Sequence, residues 1–408
     1  MAILIKRHAD LGSVNINLSS SKSESNRALV LNAFTNHHSR LINISDARDT
    51  RIMQNLLQSS DRELNVQDAG TTMRFLTAYF SIGSEIKILT GTPRMNERPI
   101  KILVDALTEI GADIKYINKE GYPPLEIHPF QGQKNDFIRV RGDISSQYIS
   151  ALLMIAPVLP QGLTLELYGK ISSQPYIDMT LALMAAFGVE VSEKDHVYQI
   201  KPQKYQQVDY RIESDWSGAS YWYSFIALCN SGKVHLSGLK SSSLQGDRAI
   251  AEIMSELGVS SYFDEQGVWI EKKNVKVDLN YDFTHCPDLA QTVIVACAAK
   301  RIKSTFSGLE SLRIKETDRI LALQNELAKI GARLEEEETG KWILTPGHQL
   351  PLKEAITIKT YDDHRMAMAF APLATMTDLI IEFPDVVKKS YPGFWDDMKK
   401  AGFSITEL

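Results

Sequence analysis

The sequence feature that most constrains the fold is a series of six almost entirely apolar segments, each entered through a polar turn. A helix that is apolar nearly all round has to be enclosed by other parts of the protein. From the second segment onward, successive segments start roughly 70–76 residues apart. The six segments, each with its first residue, are SESNRALVLNAF (Ser23), AGTTMRFLTAYF (Ala69), SSQYISALLMIAP (Ser145), DWSGASYWYSFIAL (Asp215), PDLAQTVIVACAA (Pro287) and DDHRMAMAFAPLAT (Asp362). We therefore predict six buried helices in a repeated structure.

A second series consists of amphipathic segments that end in Gly before a short apolar stretch. Gly directly after an amphipathic helix is a strong signal for the end of that helix. The segments are LVDALTEIGADI, LALMAAFGVEV, IAEIMSELGVSS, LQNELAKIGARL and DMKKAGFSI, which contain Gly111, Gly188, Gly258, Gly331 and Gly402. A sixth copy, RIMQNLLQSSDREL, is degenerate and has Ser60 where Gly would fall. These helices are expected to face solvent on one side.

Most of these glycines are followed by a strand, a turn and another strand, as in VEVSEKDHVYQI and VSSYFDEQGVWI. The repeating unit is therefore an apolar helix, strands, an amphipathic helix and a β-hairpin. Its period exceeds the roughly 20–50 residues of solenoid repeats, which favours duplicated subdomains. We predict two domains of three units, with crossings near Arg211 to Ser214 and near Leu18 to Ser21. The first domain would comprise 1–20 plus 214–408, and the second 21–213.

Composition and charge exclude several classes of protein. A chain of 408 residues with 44% apolar and 23% charged residues is globular and long enough for about two or three domains. Its net charge of -5 argues against a general nucleic-acid binder, so any anion site has to be local. Cys229, Cys286 and Cys297 have no zinc-like spacing and are expected to be buried thiols in a reducing compartment. Without a signal-peptide pattern or an apolar stretch of about 18 residues, we expect a soluble cytoplasmic protein.

The polar turns that open the apolar helices carry many of the charged residues. The N-terminus of a helix favours anions through its free N–H groups and its dipole. In the first turn, Lys22 and Arg27 would add positive charge, and Ser23 or Ser25 is expected to cap the helix. One such turn alone is better explained as an ordinary capped surface helix, because Ser-rich caps are common. Several converging turns would instead define a highly anionic substrate.

Two further charged runs lie between the apolar helices. In GTPRMNERPI, Arg94 and Arg98 could pair with carboxylates or phosphates, or could form a solvated basic turn. In SLRIKETDRI, Lys315, Glu316 and Arg319 are predicted to share one helix face. Glu316 would serve there either as a structural ion-pair partner or in proton transfer. The sequence leaves both alternatives open for each run.

Seven segments together resemble the EPSP synthase family of enolpyruvyl transferases, in that family's order and over essentially the whole chain. The segments are SKSESNRAL, DAGTTMRFL, GTPRMNERPI, SSQYISALLM, SQPYIDMTL, RIKETDRI and YDDHRMAMAF. The resemblance implies a two-domain inside-out α/β barrel, with three βαβαββ-type units per domain, buried helices enclosed by sheets, and an active site in the cleft. It further implies transfer of the enolpyruvyl group of phosphoenolpyruvate to the 5-hydroxyl of shikimate 3-phosphate. The implied enzyme is a glyphosate-sensitive monomer that releases phosphate and uses no metal or organic cofactor.

The resemblance also implies a role for individual residues. The implied ligands of shikimate 3-phosphate are Lys22, Ser23, Arg27, Ser145, Ser146, Gln147, Ser173, Tyr176, Asp288, Ser311 and Lys315. The implied ligands of phosphoenolpyruvate are Lys22, Gly70, Arg94, Gln147, Arg319, Arg365 and Lys389. The implied catalytic residues are Asp288 as proton acceptor, Glu316 as acid/base at the methylene carbon, and Lys22. The chain departs from the family's usual pattern at Ser21, Ser311 and Gln174.

Two rival functions remain. The sister enolpyruvyl transferase that acts on UDP-N-acetylglucosamine carries a Cys in its mobile loop, whereas GTPRMNERP contains none. The second rival is a noncatalytic anion-binding protein on the same scaffold, which would need neither an acid nor a base. The joint presence of Asp288, Glu316 and Lys22 argues against it and for an enzyme.

Overall fold

The computed structural model of the chain describes residues 1–273, 278–348, 350–351 and 353–408. The chain forms two units. Unit 1 comprises Met1–Ser21, Asp46–Arg48 and Glu213–Leu408, and unit 2 comprises Lys22–Ser45 and Asp49–Ile212. The predicted domains differ from these units at Ser21, at Glu213 and in the three residues Asp46–Arg48. Within the described residues, no helix combines the length and the apolar character needed to cross a bilayer.

All six apolar segments form helices, as predicted. They are α1 (Lys22–Phe34), α3 (Gly70–Ser81), α5 (Ser146–Ile155), α7 (Trp216–Leu228), α9 (Ala290–Ala299) and α11 (His364–Phe370). Every residue of α9 and of α11 is buried. These two helices lack a polar face because, as predicted, no side of either helix faces water.

The amphipathic series forms the other six helices of the described chain. They are α2 (Arg48–Gln58), α4 (Lys101–Ile110), α6 (Gln174–Ala186), α8 (Ile250–Glu256), α10 (Arg319–Ala328) and α12 (Phe394–Lys400). The five glycines predicted to end helices have φ angles from 73° to 130°. Glycine reaches this region without a Cβ clash, so each helix can turn directly into the next strand.

The strands of unit 1 form three four-stranded sheets. Their orders are β20-β21-β1-β22, β14-β15-β13-β2 and β16-β17-β19-β18. The strands are β1 (Ala2–Ile5), β2 (Asp10–Asn17), β13 (Ser231–Ser237), β14 (Val259–Phe263), β15 (Gly267–Lys272), β16 (Leu279–Asp282), β17 (Ser304–Ser307), β18 (Arg333–Glu338), β19 (Lys341–Thr345), β20 (Ile356–Ile358), β21 (Leu379–Glu382) and β22 (Ile405–Glu407).

The strands of unit 2 form two four-stranded sheets and one two-stranded sheet. Their orders are β10-β11-β9-β8, β4-β5-β7-β6 and β12-β3. The strands are β3 (Arg40–Ile42), β4 (Glu63–Asn65), β5 (Lys87–Thr90), β6 (Ile114–Tyr116), β7 (Leu125–Ile127), β8 (Phe137–Arg141), β9 (Leu163–Tyr168), β10 (Ser192–Lys194), β11 (Val197–Ile200) and β12 (Asp209–Arg211).

The sheets repeat one topology. In each four-stranded sheet, a parallel pair is extended by two antiparallel strands, as where β16 pairs parallel with β17, β17 antiparallel with β19, and β19 with β18. The degenerate sixth copy is different, because β3 and β12 form only a parallel pair. After α2 the chain enters β4, which belongs to another sheet. The predicted α/β architecture of repeated units with buried helices is thus confirmed, and the missing Gly falls in the copy that lacks its own hairpin.

The three cysteines are buried, as predicted. Burial raises the pKa of the Cys229 thiol to about 11, and the pKa values of Cys286 and Cys297 to about 12. The thiolate is the reactive form of cysteine. At neutral pH these side chains therefore act as small apolar groups in the core of unit 1.

Candidate active site

In unit 1, a buried arginine lies at the start of α10 and contacts three carboxylates. Arg319 donates through Nε to Asp363 Oδ2 at 2.7 Å. Its Nη1 donates to Asp288 Oδ1 at 3.2 Å, and its Nη2 to Glu316 Oε2 at 2.8 Å. We call these four residues the Arg319 cluster. One planar guanidinium group therefore fixes both carboxylates that the sequence assigned to acid–base chemistry.

The charges in the Arg319 cluster depend on one another. Burial acts to lower the pKa of Arg319, but Asp363 and then Glu316 outweigh it, so that the pKa is raised. Burial also raises the pKa of Asp363, and Arg319 opposes that effect. Asp363 caps α11 as well, since its Oδ1 accepts the backbone N–H of Arg365 at 2.8 Å. The guanidinium stays charged, and the cluster has to be considered as one electrostatic unit.

A second arginine, Arg365, contacts Asp288. Arg365 Nη2 lies 2.9 Å from Asp288 Oδ2, and Nη1 donates to the backbone carbonyl of Asp288 at 3.1 Å. Asp288 lies in the short 3₁₀ turn Pro287–Leu289 directly before α9. Its carboxylate is thus held by Arg319 and Arg365. An incoming phosphate or carboxylate could compete for these two guanidinium groups.

Lys315 and Glu316 lie outside the helix in which they were expected. The prediction that Lys315, Glu316 and Arg319 share a helix face was wrong, because α10 begins at Arg319. Asp318 caps that helix by accepting the N–H of Leu321 at 3.1 Å, so the preceding residues form a turn. Lys315 is half-buried in this turn. The 3₁₀ helix Glu310–Ile314 precedes it and carries Ser311, which is exposed.

His364 and Lys389 are both buried near the same end of α11. His364 Nδ1 lies 3.4 Å from Glu316 Oε2. Asp363, rather than His364, caps α11, since the Asp363 side chain accepts the backbone N–H of Arg365. Lys389 Nζ donates to the carbonyl of Asp362 at 2.6 Å. Glu316 is therefore flanked by an imidazole as well as by a guanidinium.

Three of these side chains have ligand atoms close enough for a metal ion. The atoms of Glu316, Asp363 and His364 lie within 4.8 Å of one another. Arg319, however, already donates to both carboxylates. A cation therefore occupies the position that a metal would need, and we assign no metal to this cluster.

In unit 2, the buried side chain of Arg27 joins three helices. Arg27 of α1 donates through Nε to Thr180 Oγ1 at 2.7 Å and through Nη2 to Ser150 Oγ at 3.0 Å. It also donates to the carbonyls of Ser23 at 2.9 Å and Tyr176 at 3.3 Å. Burial lowers its pKa to about 10, which leaves it charged at neutral pH. Arg27 thus brings the N-terminal parts of α1, α5 and α6 together.

The turn before α5 meets the start of α3. Ser145 caps α5 by accepting the N–H of Gln147 at 3.3 Å, and Ser146 is the first, buried residue of that helix. Gln147 Nε2 donates to Thr71 Oγ1 at 3.1 Å. Ser173 precedes α6 with a left-handed φ of 56°. The predicted phosphate-binding serines therefore lie at helix N-termini, where backbone N–H groups attract anions.

At the start of α1, Lys22 pairs with an acidic residue that the sequence did not single out. Lys22 Nζ lies 3.0 Å from Asp49 Oδ2. The prediction that Ser23 or Ser25 caps this helix was wrong, because α1 begins at Lys22. Ser25 Oγ instead accepts the backbone N–H of Ser45 at 3.0 Å. Its hydroxyl therefore holds a neighbouring loop.

Gly70 opens α3 next to an arginine. A Cβ built on Gly70 would lie 2.6 Å from Arg98 Nη1, closer than real Cβ atoms come to other groups. Arg98 is buried, whereas Arg94 of the same loop is exposed and lies 3.4 Å from Glu97. The bare backbone of Gly70 is thus needed for the approach of the Arg98 guanidinium.

The predicted site residues fall into two groups, one in each unit. Unit 1 carries Asp288, Ser311, Lys315, Glu316, Arg319, Arg365 and Lys389, and unit 2 carries Lys22, Ser23, Arg27, Gly70, Arg94, Ser145, Ser146, Gln147, Ser173 and Tyr176. Sequence reasoning did not assign a ligand role to several residues in these contact networks, namely Asp49, Thr71, Ser150, Thr180 and Asp363. For Asp363 a signal existed, since an Asp just before an apolar helix is a typical N-cap.

Comparison with known proteins identifies the relatives of this chain. The profile of the family described as EPSP synthase (3-phosphoshikimate 1-carboxyvinyltransferase) matches residues 54–398. The 3-phosphoshikimate 1-carboxyvinyltransferase of Bacteroides fragilis is 47% identical over 395 residues, which cover 96% of this chain and 95% of the relative. That of Sulfurovum sp. is 38% identical and covers 93% of this chain and 95% of its own.

The fold has solved counterparts as well. EPSP synthase from Acinetobacter baumannii superposes with a TM-score of 0.77 over 100% of both chains, at 18% sequence identity. At that identity the likeness establishes the fold alone.

Proposed function

The chain belongs to the EPSP synthase family, and on this premise we infer that it transfers the enolpyruvyl group of phosphoenolpyruvate to the 5-hydroxyl of shikimate 3-phosphate, releasing phosphate. This reaction of the shikimate pathway joins two substrates that together carry two phosphates and two carboxylates. The observation that carries the assignment of roles is the Arg319 cluster. Arg319 of this cluster and the neighbouring Arg365 hold the carboxylates of Asp288 and Glu316 by contacts of 2.8–3.2 Å.

We assign the proton transfers to two carboxylates of this cluster, those of Asp288 and Glu316. Asp288 accepts the proton of the 5-hydroxyl group while the oxygen of that hydroxyl group bonds to the central carbon of phosphoenolpyruvate. Glu316 delivers a proton to the methylene carbon, which makes the central carbon electrophilic. When the bond to phosphate breaks and phosphate leaves, the methyl carbon returns a proton to Glu316 and the double bond is restored. Acid and base have to be separate groups because both act in the first step.

We assign the anionic groups of the substrates to the basic residues and helix N-termini. The proposed ligands of phosphoenolpyruvate are Lys22, Gly70, Arg94, Gln147, Arg319, Arg365 and Lys389. The proposed ligands of shikimate 3-phosphate are Lys22, Ser23, Arg27, Ser145, Ser146, Gln147, Ser173, Tyr176, Asp288, Ser311 and Lys315. Charged donors of this kind stabilise the departing phosphate. Holding both substrates in contact can lower the barrier by about 7–11 kcal/mol.

Phosphate release is the direct test. We expect release only when phosphoenolpyruvate and shikimate 3-phosphate are both present. Release that depends instead on UDP-N-acetylglucosamine would assign the chain to the sister reaction. If neither acceptor supports turnover although isothermal titration shows that shikimate 3-phosphate binds, the chain is a binding protein.

Replacing Gly70 with Ala should weaken the binding of phosphoenolpyruvate and of glyphosate. The added methyl group would displace the Arg98 guanidinium beside Gly70, and we expect a loss of about tenfold in affinity, which corresponds to about 1.4 kcal/mol. Steady-state kinetics should give a higher KM for phosphoenolpyruvate and a still larger rise in the inhibition constant of glyphosate, which is the longer molecule. The KM for shikimate 3-phosphate should stay close to that of the parent.

A matched control for this substitution is Gly393→Ala. A Cβ at Gly393 would meet Asp397 Oδ2 at 3.8 Å, an ordinary contact. This variant should have parental constants. Equal glyphosate inhibition of the parent and of Gly70→Ala would show that Gly70 does not line the phosphoenolpyruvate site.

We propose, in addition, that the enzyme works in the cytoplasm as a monomer. Its three buried thiols suit a reducing compartment.

A further inference from the structure

A second layer of polar side chains lies behind Arg365 in unit 1. Ser217, near the start of α7, accepts a hydrogen bond from Arg365 Nη2 at 3.3 Å. Its hydroxyl in turn donates to Asp247 Oδ2. The contacts thus run without interruption from Asp288 to Arg365, then to Ser217 and Asp247. Neither of the last two residues has a place in the reaction described above.

With Asp247 ionised, the arrangement fixes the direction of each hydrogen bond. A guanidinium group can only donate, and an ionised carboxylate can only accept. Ser217 therefore has to donate its single proton to Asp247 and turn a lone pair toward Arg365. Without Asp247, the Ser217 hydroxyl could rotate and present its proton to the guanidinium, which would repel it.

Asp247 is an unusual residue to bury at this point. Its side chain is 3% exposed in the 3₁₀ turn Gly246–Ala249, and no described group donates to its other, buried oxygen Oδ1. Burial, followed by the charge of Asp288, raises its pKa to about 7, while Arg365 and the Ser217 hydrogen bond oppose that rise. A buried carboxyl group with an oxygen lacking a donor destabilises the fold. Its presence is explained if it acts on the neighbouring Arg365.

We propose that Ser217 and Asp247 are positioning residues that hold the Arg365 guanidinium in place for phosphoenolpyruvate. The inference rests on the proposed function, in which Arg365 is a ligand of that substrate. Ser217 would act by accepting from Arg365, and Asp247 would act only through Ser217. Their loss should therefore affect phosphoenolpyruvate more than shikimate 3-phosphate.

The test is a set of kinetic measurements on single and double variants. Ser217→Ala removes the acceptor, and a hydrogen bond to a charged group is worth about tenfold in affinity. We expect the KM for phosphoenolpyruvate to rise by about that factor, while the KM for shikimate 3-phosphate stays within about twofold of the parent. Ser217→Thr keeps a hydroxyl at this position and should restore most of the affinity.

Asp247→Ala should produce a similar rise in the KM for phosphoenolpyruvate. Because Asp247 acts through Ser217, the double variant should be no worse than Ser217→Ala alone. If Ser217 and Asp247 instead contributed independently to folding, the free-energy effects of the two substitutions would add in the double variant. The matched control is Ser224→Ala on the same helix, since Ser224 is buried and its hydroxyl has no partner among the described residues. Its kinetic constants should equal those of the parent.

Each outcome decides the question. A rise confined to phosphoenolpyruvate, reversed by Thr and not additive with Asp247→Ala, supports the inference. If Ser217→Ala has parental constants, or if the KM values for both substrates rise equally, the inference is overturned while the proposed function stands. A parent enzyme without turnover would overturn the proposed function itself, and the inference with it.

Discussion

Asp288→Asn should fold normally but lose turnover by about two to four orders of magnitude, the usual contribution of a general base. The amide has nearly the shape of the carboxylate but cannot accept the proton of the substrate hydroxyl. It also leaves Arg319 and Arg365 with one fewer negative partner. The KM values should change less than kcat, because both guanidinium groups remain available to the substrates. Single-turnover kinetics with both substrates at saturation measure the chemical step directly.

A matched control for this substitution is Asp385→Asn. Asp385 is exposed and pairs with Lys388 at 2.8 Å, so the same chemical change at the surface should leave the rate unaffected. If the single-turnover rate of Asp288→Asn stays near the parental value, Asp288 is a ligand only, and the base has to be sought elsewhere.

Arg319→Ala is expected to destabilise unit 1 by about 3–5 kcal/mol, because removing one partner of a buried ion pair leaves uncompensated charge. Here a single removal exposes Asp288, Glu316 and Asp363 to one another inside the protein. The midpoint of urea denaturation at neutral pH, followed by tryptophan fluorescence, should fall accordingly. Arg319→Lys should lie between the variant and the parent, since it keeps the charge but loses the planar donor geometry.

The control for this experiment is Arg62→Ala. Arg62 pairs with Glu126 at 2.9 Å on the surface, and such pairs contribute about 0–1 kcal/mol. If Arg319→Ala denatured at the same urea concentration as Arg62→Ala, the three carboxylates would have to be neutralised in some other way. The electrostatic account of the cluster would then be wrong.

The repeated architecture could be predicted from the sequence because its signals are local. An apolar surface on all sides of a helix requires enclosure, and Gly after an amphipathic helix ends it through its own backbone freedom. Both signals are encoded within about a dozen residues. The helices from α1 to α12 and the hairpins after Gly188 and Gly258 accordingly lie where they were predicted.

Local capping was predicted less well, because several side chains compete for one helix end. Ser23 and Ser25 both looked suitable as caps, yet α1 begins at Lys22. Asp318 starts α10 later than the spacing from Lys315 to Arg319 suggested. Which residue caps a helix depends on the direction from which the preceding chain enters that helix. This direction is set by the packing of the whole unit.

The chain alone thus determined which segments become buried helices and where the amphipathic helices stop, and its motifs indicated the family. Only the tertiary structure decided which charges meet. Asp288, Glu316, Arg319 and Asp363 are separated by up to 75 residues, yet one guanidinium joins them. The sequence holds no local signal for Asp247 behind Arg365, because an electrostatic interaction inside a core depends on distance and desolvation. Those two quantities exist only after the helices have packed.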